Sequence, residues 1–190
     1  MKKTFYFLAV SVCAIGMAAT LTAAAKSVKT AEAPISEKQI DAAYRQWCDG
    51  LMAIADAHKN GADYRAAAEK MLADNYLFQD GKILFKPTLA HGEQTFRLDH
   101  EGALSYFVGG NPKYAQDIGF ALRGWTACRY KIAGTIVEND IALSMANVWV
   151  TDSKGSDVKV DKTLVFKKDA NNKLRLIAHM SALPYTPPAE

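Results

Sequence analysis

Four stretches in the last third of this chain read as β-strands: Trp125 to Thr135, Ile141 to Thr151, Val158 to Lys167 and Leu174 to Leu183. The segments that join them, Glu138-Asn-Asp140, Asp152-Ser-Lys-Gly155 and Asp169-Ala-Asn-Asn172, are short and rich in turn residues, as between antiparallel neighbours. Upstream the period changes to that of helices. Ser36-Glu-Lys-Gln39 has the form of a capping box, opening a helix whose apolar positions are Ile40, Ala43, Tyr44, Trp47, Leu51, Ile54 and Ala55. Asn60-Gly61 stops it, and Asp63 caps a second helix running to about Tyr76. A third spans His100 to Phe107 and ends at Gly109-Gly110. Between helices, Ile83, Phe85 and the Phe96 region read as short strands, as does Ile118 to Leu122. Helices followed by a long meander predict an α+β domain, a cone with helices on the concave side of a curved antiparallel sheet. In such a cone the inward residues of the sheet either fill the core or line a cavity.

Residues 1–25 are expected to lie outside that domain. Lys2 and Lys3 precede an apolar stretch, Phe5 to Ala19, followed by the small residues Leu21-Thr-Ala-Ala-Ala25. This predicts a secretory signal peptide cleaved after Ala25. The apolar run is shorter than the roughly 20 residues a spanning helix needs, so no membrane attachment is expected after cleavage. Val12 is too large to precede a lipidated cysteine at Cys13. Residues 26–35 read as a flexible lead-in, residues 36–190 as one domain, and the protein as secreted or periplasmic. Cleavage takes away two lysines and no acids, bringing the formal charge from +3 to about +1. That leaves no basic surplus for nucleic acid. Cys48 and Cys128 survive export, either as a disulfide or as two buried thiols.

The chemistry-bearing residues are sparse. His58, His91, His100 and His179 form no local metal-ligand spacing. On the closing strand, strict alternation puts Arg175, Ile177, His179 and Ser181 on one face. Leu174, Leu176, Ala178 and Met180 then form an apolar packing face. Thr88, after Pro87, and Tyr106, in the third helix, are candidates only in combination with that strand; Arg97 and Arg123 read as solvated or structurally paired.

The combination is found in five ordered segments: Leu84-Phe-Lys-Pro-Thr-Leu-Ala90, Phe96-Arg97, Gly102-Ala-Leu-Ser-Tyr-Phe-Val-Gly-Gly110, Gly119-Phe-Ala-Leu122 with Trp125, and Leu174-Arg-Leu-Ile-Ala-His-Met-Ser-Ala-Leu-Pro-Tyr185. Together they resemble the iota class of carbonic anhydrases, from about Ile40 to Tyr185. That class belongs to the NTF2-like superfamily and is close to the association domain of calcium/calmodulin-dependent kinase II. The resemblance implies reversible hydration of carbon dioxide to bicarbonate, with Thr88, Tyr106, His179 and Ser181 lining the bicarbonate pocket. The class includes metal-free members and others assigned zinc or manganese. With no ligand cluster in this sequence the metal-free form, with no cofactor, is expected, zinc and manganese remaining as alternatives. One departure stands out: the family's His-His-Ser-Ser-Leu-Pro-Tyr is His179-Met-Ser-Ala-Leu-Pro-Tyr185 here. By the same alternation Met180 and Ala182 face away from the pocket. Three hydroxyls are then expected to meet the developing charge, with His179 accepting a proton or orienting Ser181. A non-catalytic binding module and an assembly domain are the competing readings, and exposed sheet surface predicts a homodimer.

Overall fold

Ser36 and Gln39 start the first helix as the sequence requires. In the computed structural model, which describes residues 33–188, the Ser36 hydroxyl accepts from the Gln39 N–H at 3.3 Å and the Gln39 side chain accepts from the Ser36 N–H at 2.9 Å. The expected signal peptide lies outside the described residues. Helix α1 spans Glu37–Lys59 and α2 spans Tyr64–Asn75, the latter capped by Asp63. After a short strand β1, Leu84–Lys86, comes α3, His100–Val108, which ends at Gly109. The long strands follow as β2 (Ala127–Glu138), β3 (Ile141–Thr151), β4 (Asp157–Lys168) and β5 (Leu174–Ala182).

The five strands form one sheet in the order β1-β5-β4-β3-β2. The meander from β2 to β5 is antiparallel, as expected, while β1 adds to β5 in parallel. The sheet is curved and unclosed, with the helices on its concave side. Ile40, Tyr44, Trp47, Leu51 and Ile54 of α1 are buried against inward residues of the sheet such as Ala146, Val148, Leu164 and Phe166. Tyr44 stacks on Tyr130 of β2, with 5.2 Å between ring centroids. The Tyr130 hydroxyl donates back to Asp41 at 2.8 Å. A disulfide joins Cys48 of α1 to Cys128 of β2, with Cα atoms 5.4 Å apart across a separation of 80 residues. Its presence decides between the two cysteine readings, and closing a loop of that length stabilises the fold by about 4 kcal/mol.

Three expectations change. The first concerns β5, which does not alternate strictly. Val165 pairs with Ala178 but Phe166 pairs with Leu176, so Ile177 is an extra residue without a partner. Such a bulge switches the parity of every side chain beyond it. Leu174 and Leu176 therefore share the concave, buried face with His179 and Ser181, although alternation had put them on opposite faces. Met180 does point away from His179, but into the open: it is 48% exposed on the convex face, which is no packing face.

The second is Ile118 to Leu122, where a single 3₁₀ turn, Phe120–Leu122, replaces the expected strand. Gly119 precedes it at φ 83°, a left-handed conformation that breaks extended structure and turns Phe120 inward. The third is the Phe96 region, which makes one isolated bridge, Phe85 to Arg97, in place of a strand. Arg97 is structurally paired, and completely so. Its guanidinium is buried, with Nε and Nη2 donating to Asp117 at 3.0 and 2.6 Å, and Ser105 donating to the same carboxylate at 2.8 Å. This pins the loop after α3 to the loop after β1.

Candidate active site

The bulge at Ile177 brings His179 and Ser181 under α1, where they meet residues from every layer of the fold. The His179 ring packs on Phe85 of β1, nearly parallel at 4.7 Å between centroids, and meets Trp47 of α1 roughly at right angles at 5.6 Å. Its Nδ1 is 2.8 Å from the Tyr76 hydroxyl, at the C-terminal end of α2. Its Nε2 is 2.8 Å from Ser181 Oγ and equally close to Lys162 Nζ, which reaches in from β4. Trp47 Nε1 donates to the Tyr76 hydroxyl at 3.2 Å, continuing the chain of polar contacts to α1.

These groups wall a small, narrow pocket. Thr88, Tyr106 and Phe120 close its other side, so all four residues expected from the sequence line one cavity. Tyr106 is placed by α3 and held among Phe85, Phe107 and Phe120, with ring centroids 5.5 to 5.6 Å away. Its hydroxyl accepts from the Leu89 N–H at 3.4 Å and lies beside Thr88. A second small recess shares Tyr106 and Phe120 and is lined further by Leu89, Gln116, Asp117, Ile118 and Arg123. Tyr106 thus stands between the buried pocket and a recess nearer the surface, where Arg123 is exposed.

The electrostatics follow from burial. Tyr106 is pushed up to about 12, chiefly because the phenolate would lose its water, so at neutral pH it is a donor. Burial holds His179 well below the ordinary histidine value, and the nearby Lys162 charge acts in the same direction. Burial alone brings Lys162 down to about 7. Tyr76 is raised, again by desolvation. No carboxylate lines the pocket. A small interior without carboxylates suits a triatomic or tetra-atomic guest, and its hydroxyls suit oxygen atoms that gain negative charge.

Lys162 is the residue that sequence reasoning did not single out, and a signal was present. Along β4 the buried positions are Val160, Lys162, Leu164 and Phe166, so one lysine occupies a core-facing register among apolar neighbours. Tyr76 was read only as the end of a helix, and its partnership with His179 spans 103 residues. His58, His91 and His100 do not line this pocket. Among the described residues no group of three His, Cys, Asp or Glu side chains is placed to hold a metal ion.

Comparison with known proteins points one way. The profile described as metal-independent carbonic anhydrase matches residues 38–183. A metal-independent carbonic anhydrase from Nostoc sp. (strain PCC 7120) is 43% identical over 153 residues, 80% of this chain and 75% of that protein. The crystal structure of an iota-carbonic anhydrase from a cyanobacterium, complexed with bicarbonate, superposes with a TM-score of 0.79 at 41% identity. That match covers 81% of this chain and 95% of the other.

Proposed function

This chain belongs to the metal-independent carbonic anhydrase family, and we propose that its buried pocket is where carbon dioxide and water become bicarbonate. The reaction is the reversible hydration of carbon dioxide to bicarbonate and a proton, and it uses no metal cofactor. The observation that carries the site assignment is the convergence of Thr88, Tyr106, His179 and Ser181, from three separate stretches of chain, on one buried pocket.

In this reading carbon dioxide lies among Phe85, Phe107 and Phe120, in a dry environment that strengthens every polar contact. Water attacks its carbon while the hydroxyls of Thr88, Tyr106 and Ser181 point at the oxygens. They cost no reorganisation as the charge grows, since packing already holds them. His179 acts as the orienting group: its ring is clamped by Phe85 and Trp47 and its Nε2 fixes Ser181. Stopped-flow hydration assays of the mature protein test the assignment. Thr88→Ala and Tyr106→Phe are each expected to lower the rate by about 10²–10³. Unchanged rates in both would remove the pocket from consideration. Bicarbonate binding without turnover in the parent protein would favour a binding module.

The chain's setting forms part of the same proposal. The Lys2-Lys3 start, the apolar stretch to Ala19 and the Ala23-Ala-Ala25 exit support export through a cleaved signal, giving a secreted or periplasmic enzyme. The Cys48–Cys128 disulfide fits an oxidising compartment. N-terminal sequencing of protein recovered from the periplasm checks it, with Lys26 expected first. Homodimerisation is supported by the convex face of the sheet, where Leu84, Phe96, Leu98 and Met180 edge an apolar groove floored by Val165 and Ala178. Light scattering should give twice the monomer mass.

A further inference from the structure

We infer that Lys162 is the proton acceptor of hydration, an uncharged amine while carbon dioxide and water occupy the pocket and an ammonium once bicarbonate has formed. This rests on the pocket assignment above and adds the base that the reaction needs.

The hydrogens around His179 limit what Lys162 can carry. Trp47 Nε1–H donates to the Tyr76 oxygen, and the acceptor in reach of the Tyr76 hydrogen is His179 Nδ1 at 2.8 Å. With Nδ1 accepting, a neutral imidazole carries its hydrogen on Nε2. That hydrogen faces Ser181 Oγ and Lys162 Nζ, both 2.8 Å away. Beside an ammonium, the arrangement of the product state, Nε2–H has only Ser181 Oγ to donate to. An amine, with a lone pair and two hydrogens, fits. The opposite tautomer would accept from an ammonium, but would direct two N–H groups at the Tyr76 oxygen and strand its hydroxyl hydrogen.

No other group facing the pocket is free to take the proton. Both His179 nitrogens are committed, and burial holds that ring neutral. Tyr106 keeps its proton, being pushed up to about 12. Thr88 and Ser181 are alcohols, Trp47 and Tyr76 act as donors, and no carboxylate is present. Lys86 is turned to the Ser181 carbonyl, with Nζ at 3.0 Å, and does not line the cavity. Lys162 has no acidic partner among the described residues, and burial lowers its ammonium to about 7, near where a base works best in neutral solution.

Charge stays balanced across the step. As the water oxygen bonds to carbon, one C–O π pair moves onto oxygen and a water O–H bond breaks, its proton forming a bond with Nζ. The products are bicarbonate at −1 and ammonium at +1, side by side. The pocket holds no net charge before the step and none after it, so the chemical step itself creates no unpaired ion. The Trp47 ring, with its centroid 4.2 Å from Nζ, meets the new cation with its negative face. When bicarbonate leaves, the ammonium gives its proton to water or a buffer base.

Steady-state hydration and dehydration assays of Lys162→Met and Lys162→Arg, beside Thr88→Ala and Tyr106→Phe, test this. Met fills the same space without a base, and Arg keeps a cation that does not deprotonate. Both are expected to lower hydration about 100-fold or more. In the parent protein hydration should fall as pH drops through about 7 while dehydration rises, because the two directions need opposite forms of Lys162. Hydration within threefold of the parent in Lys162→Met, with Thr88→Ala and Tyr106→Phe impaired, overturns the role of Lys162 and leaves the pocket assignment standing. Full activity in the Thr88 and Tyr106 variants overturns both. Independently of any variant, ¹⁵N NMR of the Lys162 Nζ in ligand-free protein should show a neutral amine above pH 8. An ammonium persisting to pH 10 overturns the inference.

Discussion

Lys162 Nζ stands 4.2 Å from the centroid of the Trp47 indole, so the one buried lysine of the sheet meets the face of an aromatic ring on α1. The contact favours the ammonium over the amine, opposing the desolvation that lowers it. In a dry site such a contact contributes about 1–2 kcal/mol. Trp47→Leu should therefore move the acid limb of the hydration profile to lower pH by roughly one unit. A limb that stays in place while the overall rate drops would show that the indole only packs.

The same lysine sets a stability signature. Lys162 is a base whose folded value, about 7, lies below the ordinary lysine value of 10.5. Between those two pH values the unfolded chain binds a proton that the folded chain lacks, so stability rises with pH across that window. Below about pH 7 both states are protonated and the full penalty of the buried ammonium applies. Lys162→Met lacks the penalty. It is expected to be more stable than the parent by on the order of 2–4 kcal/mol at pH 6, the gap closing towards pH 10. Urea titrations at pH 6, 8 and 10 measure the gap directly.

Tyr76 supplies the hydrogen that fixes the His179 tautomer. Tyr76→Phe keeps the ring stacked on Phe78 but leaves both the Trp47 N–H and His179 Nδ1 without their partner. A cost of about 1–3 kcal/mol in stability follows from the buried unsatisfied groups. With the tautomer released, hydration should fall by about tenfold while bicarbonate affinity changes little. Equal losses in rate and affinity would mean that the hydroxyl shapes the pocket and does not set the tautomer.

The disulfide links the helix that carries Trp47 to the far edge of the sheet. Cys48→Ser with Cys128→Ser is expected to lower stability by about 4 kcal/mol, within a 2–5 kcal/mol range. Thermal melts of oxidised, reduced and double-variant protein should place the last two together. A reduced protein as stable as the oxidised one would assign the cysteines no more than a packing role.

The helices were legible because their caps are local. Ser36 with Gln39, and Asp63 with Ala66, satisfy end groups within four residues, so short-range chemistry decides them. The four long strands were legible from alternation and turn chemistry, down to Asn139, which takes a positive φ between β2 and β3. Thr88 and Tyr106 entered through a family resemblance, since neither has a local pattern that separates it from an ordinary threonine or core tyrosine. The Tyr76–His179 contact was not legible, because it depends on how α2 docks against β5. Nor was the bulge at Ile177, which is a property of two strands in register and leaves no mark on either strand alone. Lys162 was legible in principle: a charged residue in phase with Val160, Leu164 and Phe166 signals a polar guest in the core.

That unpaired isoleucine has a consequence for how the function is written into the chain. The extra residue lets the two halves of the strand keep one face in common: Leu174 and Leu176 stay in the core while His179 and Ser181 share the same concave side. Drawing Ile177 into regular pairing would force one half outward, either the leucines from the core or His179 and Ser181 from the cavity. Deleting it would instead restore plain alternation and leave His179 and Ser181 where they are. A relative one codon shorter at this point would keep the same residues at its cavity, so pairing, more than strand length, is what inheritance has to preserve here.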